Sequence, residues 1–102
     1  MKLAAIMGAT AVAAGAFGAH ALVGDPRIDI WKTAALYHLV HAVALTRAPR
    51  LSSHLFTAGI LVFSGSLYAL VLLEQPILGA ITPLGGVLLI AGWLAMWKTP
   101  AP

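Results

Sequence analysis

"GAFGAHALVGDPRIDIW", residues 15–31, admits two readings that differ in how often the chain crosses a membrane. Lys2, an apolar run and "AHA" at residues 19–21 fit a secretory signal with a small-residue cleavage site. The same residues fit the end of an uncleaved helix that carries one histidine and stops at "GDPRID", residues 24–29. Length decides for the helix. Leu3 to Val23 holds no formal charge and at about 1.5 Å per residue spans roughly 31 Å, the depth of a hydrocarbon core. A signal's apolar core is only about 7 to 15 residues long. The spacing of small residues agrees: Ala11, Gly15 and Ala19 recur at every fourth position, beside Ala14 and Gly18, making a smooth face that another helix can approach closely.

Composition places the whole chain in the same solvent. Of 102 residues, 61% are hydrophobic and 9% charged, against about a quarter charged in a soluble domain, and so short a chain cannot hide that much apolar surface in one core. With no cysteine there is no disulfide, thiolate metal site or thiol nucleophile. The six Lys and Arg are scattered singly, without the basic patch that binds phosphate backbones, so nucleic acid is excluded as a partner.

Further runs follow outward from the first. Trp31 and Lys32 mark re-entry into the membrane, and residues 31–46 make a shorter, more polar span that needs shielding by its neighbours. "RAPR", residues 47–50, breaks the chain, and Ser52 or Ser53 is placed to cap the next helix. Spans over 53–73 and 77–97 flank the short connection "EQP", and a proline-rich end follows Lys98. Pro83 falls in the last span, where it either kinks the helix or sits in its first turn. The expected fold is an all-α integral membrane bundle of four helices, one domain over residues 1–102, with spans near 3–23, 31–46, 53–73 and 77–97. Lys2, Arg47, Arg50 and Lys98 fall on one side of it; Arg27 and Lys32 share the other with Asp25, Asp29 and Glu74, so both termini are expected in the cytoplasm.

Polar side chains inside hydrocarbon need partners, which makes them the candidate site. Measured from the non-cytoplasmic helix ends, His20 lies about 5 Å deep, His38 and His41 about 10 and 15 Å, Tyr68 and Ser64 about 8 and 14 Å, and Thr82 about 8 Å. His38 and His41 share a helical face with Tyr37. The leading expectation is a polar intramembrane cluster of Tyr37, Ser64, Ser66, Tyr68 and Thr82 with the histidines, holding helices together by hydrogen bonds. The alternative makes His20, His38 and His41 ligands of a cofactor, a haem or a transition metal, or of a quinone; a second alternative is a proton or small-solute path. Close helix contact is expected at Ala11, Gly15, Gly18, Ala19, Gly85 and Gly86, and Trp31, Trp93 and Trp97 are read mostly as interfacial anchors, with deeper packing as the alternative for Trp93. No acid lies within a span and no nucleophile-elbow pattern is present, so catalysis is not expected. The small multidrug-resistance exporters, of similar size, rely on a glutamate in the first span, and here that span has none.

"GAFGAHAL" (15–22), Trp31 with "TAALYHLVHAVAL" (33–45), "AGILVFSGSLY" (58–68), "LGAITPLGG" (78–86) and "AGW" (91–93) together resemble the YgdD-type family of small multipass membrane proteins of unknown function. The resemblance covers nearly the whole chain in order and implies a four-helix protein of the bacterial plasma (inner) membrane, with no established activity. It also implies that His20, Tyr37, His38, His41, Ser64, Ser66, Tyr68, Thr82 and Pro83 lie in the family's characteristic segments. The expected role is a non-catalytic structural or accessory component of a membrane assembly. Its expected partners are the lipid bilayer and other integral membrane proteins or a second copy, with no cofactor in the leading reading.

Overall fold

The structure, a computed structural model, describes residues 1–98; the proline-rich end lies outside the described residues. Four helices account for nearly all of it: α1 (Lys2–Ala21), α2 (Ile28–Leu45), α3 (Arg50–Leu73) and α4 (Thr82–Lys98), with a short 3-10 turn, Pro76–Ala80, leading into the last and no strand among the described residues. Three segments, Lys2–Ala21, Arg50–Leu73 and Pro76–Lys98, are long and apolar enough to cross a membrane. Helix α2 is the exception, because Asp29, Lys32, His38 and His41 dilute it.

That dilution explains where α2 sits. It packs along α1 on one side and α3 on the other, and α3 in turn packs along α4, whereas α1 and α4 share no packed seam among the described residues. The helices therefore form a folded row, 44 × 26 × 16 Å in extent. Helix α2 buries Trp31, Ala34, Ala35, His38, His41, Ala42 and Leu45, a face recurring every three or four residues. The two histidines of the least apolar helix thus face protein, whereas Asp29, Lys32 and Tyr37 are exposed, and its outer face includes Leu36, Val40 and Val43.

Two apolar clusters lie towards opposite ends. Ala4, Met7, Ala42, Leu45, Phe56, Ile60 and Leu89 form one, and Leu22, Trp31, Leu70 and Val71 form the other. The α3–α4 seam is set by glycines on both partners. A Cβ at Gly59 would lie 2.5 Å from Leu89 Cδ2, one at Gly92 would lie 2.6 Å from the Phe56 ring, and one at Gly85 would collide with the Phe63 backbone. In the α1–α2 seam Trp31 lies across Gly18, where a Cβ would be 2.5 Å from Cδ1.

The connections follow from local chemistry. Gly24, at φ +83°, makes the left-handed step that glycine adopts readily, and Asp25 Oδ1 accepts from the Arg27 N–H at 2.7 Å. Glu74 takes the left-handed position at the end of α3 (φ 53°), and its carboxylate meets Arg27 at 3.3 Å, tying the first and third connections together. Helix α3 starts at Arg50 behind an extended Pro49 and has no side-chain cap. The reading of Ser52 or Ser53 as the cap is thereby corrected: Ser53 lies a full turn inside the helix, where its N–H donates to the Pro49 carbonyl, and Ser52 is fully buried with no hydrogen-bond partner for Oγ among the described residues. Pro83 sits in the first turn of α4, where a missing N–H removes nothing the helix needs. Inside α3, Ile60–Ser64 forms a π turn in which the Gly65 N–H donates to the Ile60 carbonyl five residues back.

The glycine seam gives a direct prediction. Gly85→Ala should lower the unfolding temperature in detergent, with a loss of about 1 to 3 kcal/mol from overpacking. Gly8→Ala, whose Cβ meets nothing within 4 Å, should not lower it. Equal losses at the two positions would contradict the seam.

Candidate functional site: the polar layer between the helices

Each seam of the row carries its own hydrogen bonds. Between α1 and α2, the Trp31 indole N–H donates to the Ala14 carbonyl at 2.7 Å, and Trp31 is buried against Phe17 and Tyr68 with ring centroids 5.1 and 4.6 Å away. Trp31 is thus a packing residue rather than an interfacial anchor. Between α2 and α3, the buried Ser64 hydroxyl donates to the Ala34 carbonyl at 2.8 Å. Between α3 and α4, Ser66 and Thr82 hydroxyls meet at 2.6 Å, and Ser66 is also 3.0 Å from the Phe63 carbonyl within the π turn.

His41 is held at both nitrogens. Nδ1 lies 2.7 Å from the Tyr37 carbonyl, which can only accept, so Nδ1 carries the proton. Nε2 then offers a lone pair, and Trp93 Nε1–H donates to it at 2.9 Å. The ring is fixed as the neutral Nδ1–H tautomer inside an aromatic frame, with Phe56 5.4 Å and Trp93 5.8 Å away edge-on and Tyr37 stacked at 6.1 Å. This bond ties α4 to α2 across a gap that the backbones do not close.

His38 lies between α1 and α3. Its Nε2 is 3.2 Å from Thr10 Oγ1, and its Nδ1 is 2.9 Å from the Tyr68 hydroxyl. Thr10 Oγ1 is also 2.9 and 3.0 Å from the Ile6 and Met7 carbonyls in its own helix. Every donor is used if Tyr68 donates to Nδ1, Nε2–H donates to Thr10, and Thr10 donates to a backbone carbonyl. That chain ends on a carbonyl, which cannot pass a proton on.

The three histidines of the alternative ligand reading do not lie together. His20 is exposed in the last turn of α1, while His38 and His41 face different seams, and no group of three His, Cys, Asp or Glu among the described residues could hold a metal ion. Depth counting placed the three in one half of the bilayer; rotation about the helix axes separates them. Tyr37 is half exposed and contributes its carbonyl, its ring lying 4.9 Å from Phe63. Of the small residues expected at contacts, Ala11, Gly18 and Gly85 are buried and a Cβ at Gly86 would lie 3.7 Å from the Phe63 ring, whereas Gly15 and Ala19 are exposed. Thr10 and Trp93 complete both histidine pairings and were not singled out as partners from the sequence. The available signal for Thr10 was its place as the lone hydroxyl of the first apolar run.

An all-helical chain with three helices long and apolar enough to cross a membrane, its polar groups closed on one another between them, falls in the class of small helical membrane proteins. The chain belongs to the DUF423 family of proteins of unknown function, matched over residues 14–86. It is 44% identical to the UPF0382 membrane protein YwdK of Bacillus subtilis (strain 168), over 92% of each chain. It is 43% identical to a UPF0382 membrane protein of Staphylococcus aureus (strain bovine RF122 / ET3-1), over 94% of this chain and 93% of that one. No solved structure matches it.

The His41–Trp93 bond can be measured as a coupling. Trp93→Phe keeps a ring beside Phe56 and removes the donor, with an expected loss of about 1 kcal/mol in bicelle unfolding. In a double-mutant cycle with His41→Phe, a coupling of about 0.6 to 1.7 kcal/mol is expected. Strict additivity would show that the bond contributes nothing.

Proposed function

We propose that this protein is a four-span protein of the bacterial plasma membrane, both termini cytoplasmic, that acts without catalysis as a structural or accessory component of a larger membrane assembly. The observation that carries the reading is the row itself. The polar groups of the seams face protein, while the edge helices present broad apolar faces: Ile6 and Val12 on α1, and Leu84, Val87, Ile90 and Leu94 on α4, are all more than half exposed. Such faces suit lipid and partner helices, where small residues and van der Waals packing drive association. The groove of about 440 Å³ along α1 and α2, lined by Ala11, Gly15, Ala16 and Ala35 among others, is of the smooth kind that admits a neighbouring helix.

Crossing number and orientation rest on charge. Arg47 and Arg50 flank the α2–α3 connection on the side of Lys2 and Lys98, and the Arg27–Glu74 pair holds the other two connections together at the opposite end. The relatives named as membrane proteins come from bacteria, which supports the location. Helix α2 would cross as the shielded member of the row, its ends reaching the interface at Lys32 and Thr46.

The chain has no cysteine, so single introduced thiols report topology cleanly. Thr46→Cys should react with an impermeant maleimide only from the cytoplasmic side, and Val23→Cys and Gln75→Cys only from the other. Labelling of Thr46→Cys and Gln75→Cys from one side would contradict four crossings. Gentle extraction of the tagged protein should bring down a reproducible larger membrane partner, and recovery of this chain alone would contradict the accessory role.

A further inference from the structure

Among the described residues α1 and α3 share no packed seam of their own, and the space between them is a lateral slot of about 320 Å³ whose floor is α2. Its walls include Met7 and Thr10 from α1 and Ile60, Gly65 and Tyr68 from α3, and its floor is His38. Ile6 and Leu61 stand on the rim with about 60% of their surface exposed, so the slot opens towards hydrocarbon. The volume is at the lower end of small-molecule sites, about 300 to 1,000 Å³. We propose that the slot between α1 and α3 binds the head of a neutral, carbonyl-bearing, lipid-soluble molecule of the isoprenoid quinone class, with the Tyr68 hydroxyl donating to the carbonyl.

Three observations select that chemistry. None of the residues lining the slot is charged, so a phosphate or carboxylate head finds no counter-ion there. Thr10 and His38 lie mid-way along their helices and Tyr68 about a turn and a half from the end of α3, inside the interfacial esters of ordinary lipids, and a planar neutral ring with an apolar tail is soluble at that depth. Finally, the His38 network holds a donor in reserve. With the slot empty, Tyr68 donates to Nδ1 and no hydroxyl hydrogen is free. In the opposite orientation Thr10 donates to Nε2 and Nδ1–H donates to Tyr68, and the same 3.2 and 2.9 Å separations are satisfied. The Tyr68 O–H is then released to point into the slot. The imidazole proton has moved from Nε2 to Nδ1 and two hydroxyls have rotated, with no proton gained or lost.

The inference rests on the membrane-spanning reading above, but thiol labelling tests that reading separately, so either can fail alone. Trp31 lies 4.6 Å from the Tyr68 ring and is a built-in reporter, since quinones quench indole fluorescence. With the whole protein in nanodiscs and a short-chain ubiquinone as probe, saturable quenching is expected, weakened about tenfold by Tyr68→Phe. Gly65→Leu should abolish saturation without lowering the unfolding temperature, because a Cβ at Gly65 meets nothing within 4 Å and the side chain fills the slot. Quenching that rises linearly with quinone and is the same in wild type and Gly65→Leu would overturn the proposal. On wild type alone, ¹⁵N NMR of His38 should show Nδ1 gaining its proton as quinone is added, and an unchanged tautomer at saturating quinone would overturn it equally.

Discussion

A buried histidine has to satisfy both ring nitrogens within the protein, and α2 carries two of them three residues apart, His38 and His41. One neighbour cannot serve both. His38 takes Thr10 from α1 and Tyr68 from α3; His41 takes the carbonyl of Tyr37 in its own helix and Trp93 from α4. The least apolar helix therefore becomes an inner one, with α1 and α3 along its flanks and α4 held to it by an indole. Net energies of such bonds in membranes are modest, about 1 kcal/mol each, but leaving a nitrogen unpaired is costly, so they select the arrangement more than they stabilise it.

The π turn and the glycines follow from the same requirement. Ser64, Ser66 and Tyr68 all lie at or beyond the π turn, and they reach three different targets: the Ala34 carbonyl, Thr82 and His38. One extra residue in the turn rotates the second half of α3 by about 100° relative to an unbroken α-helix, which is what aims these hydroxyls at their partners. Such reach demands that helices lie close. Gly59, Gly85 and Gly92 supply that approach against α4, and Gly18 supplies it beneath Trp31.

Much of the helical class was readable from charge-free runs and from the loops that interrupt them. Periodicity and depth also drew attention to His38, Tyr68, Ser64, Ser66 and Thr82. What could not be read was rotation. Depth along a helix says nothing about which way a side chain points, and so His20 was grouped with two histidines that face other seams. Trp31 was read by its usual interfacial habit and Trp93 as either an anchor or a deeper packing residue, while their N–H donors close contacts to Ala14 and His41 inside the row. The start of α3 was placed by the serine-cap habit, whereas an extended Pro49 suffices. Membership of a family described only as of unknown function leaves activity to be argued from geometry alone.

The central claim is that α2 is the shielded helix whose polar face is closed to both water and lipid. Single nitroxide labels at each position of α2 in a bilayer, read for collision with oxygen and with a water-soluble nickel chelate, test it most directly. The account predicts oxygen accessibility with a period of about 3.6 residues, high at 36, 40 and 43 and low at 34, 38, 41 and 45, with no nickel accessibility at 38 or 41. Nickel accessibility at 38 and 41, or oxygen accessibility without that period, would contradict it.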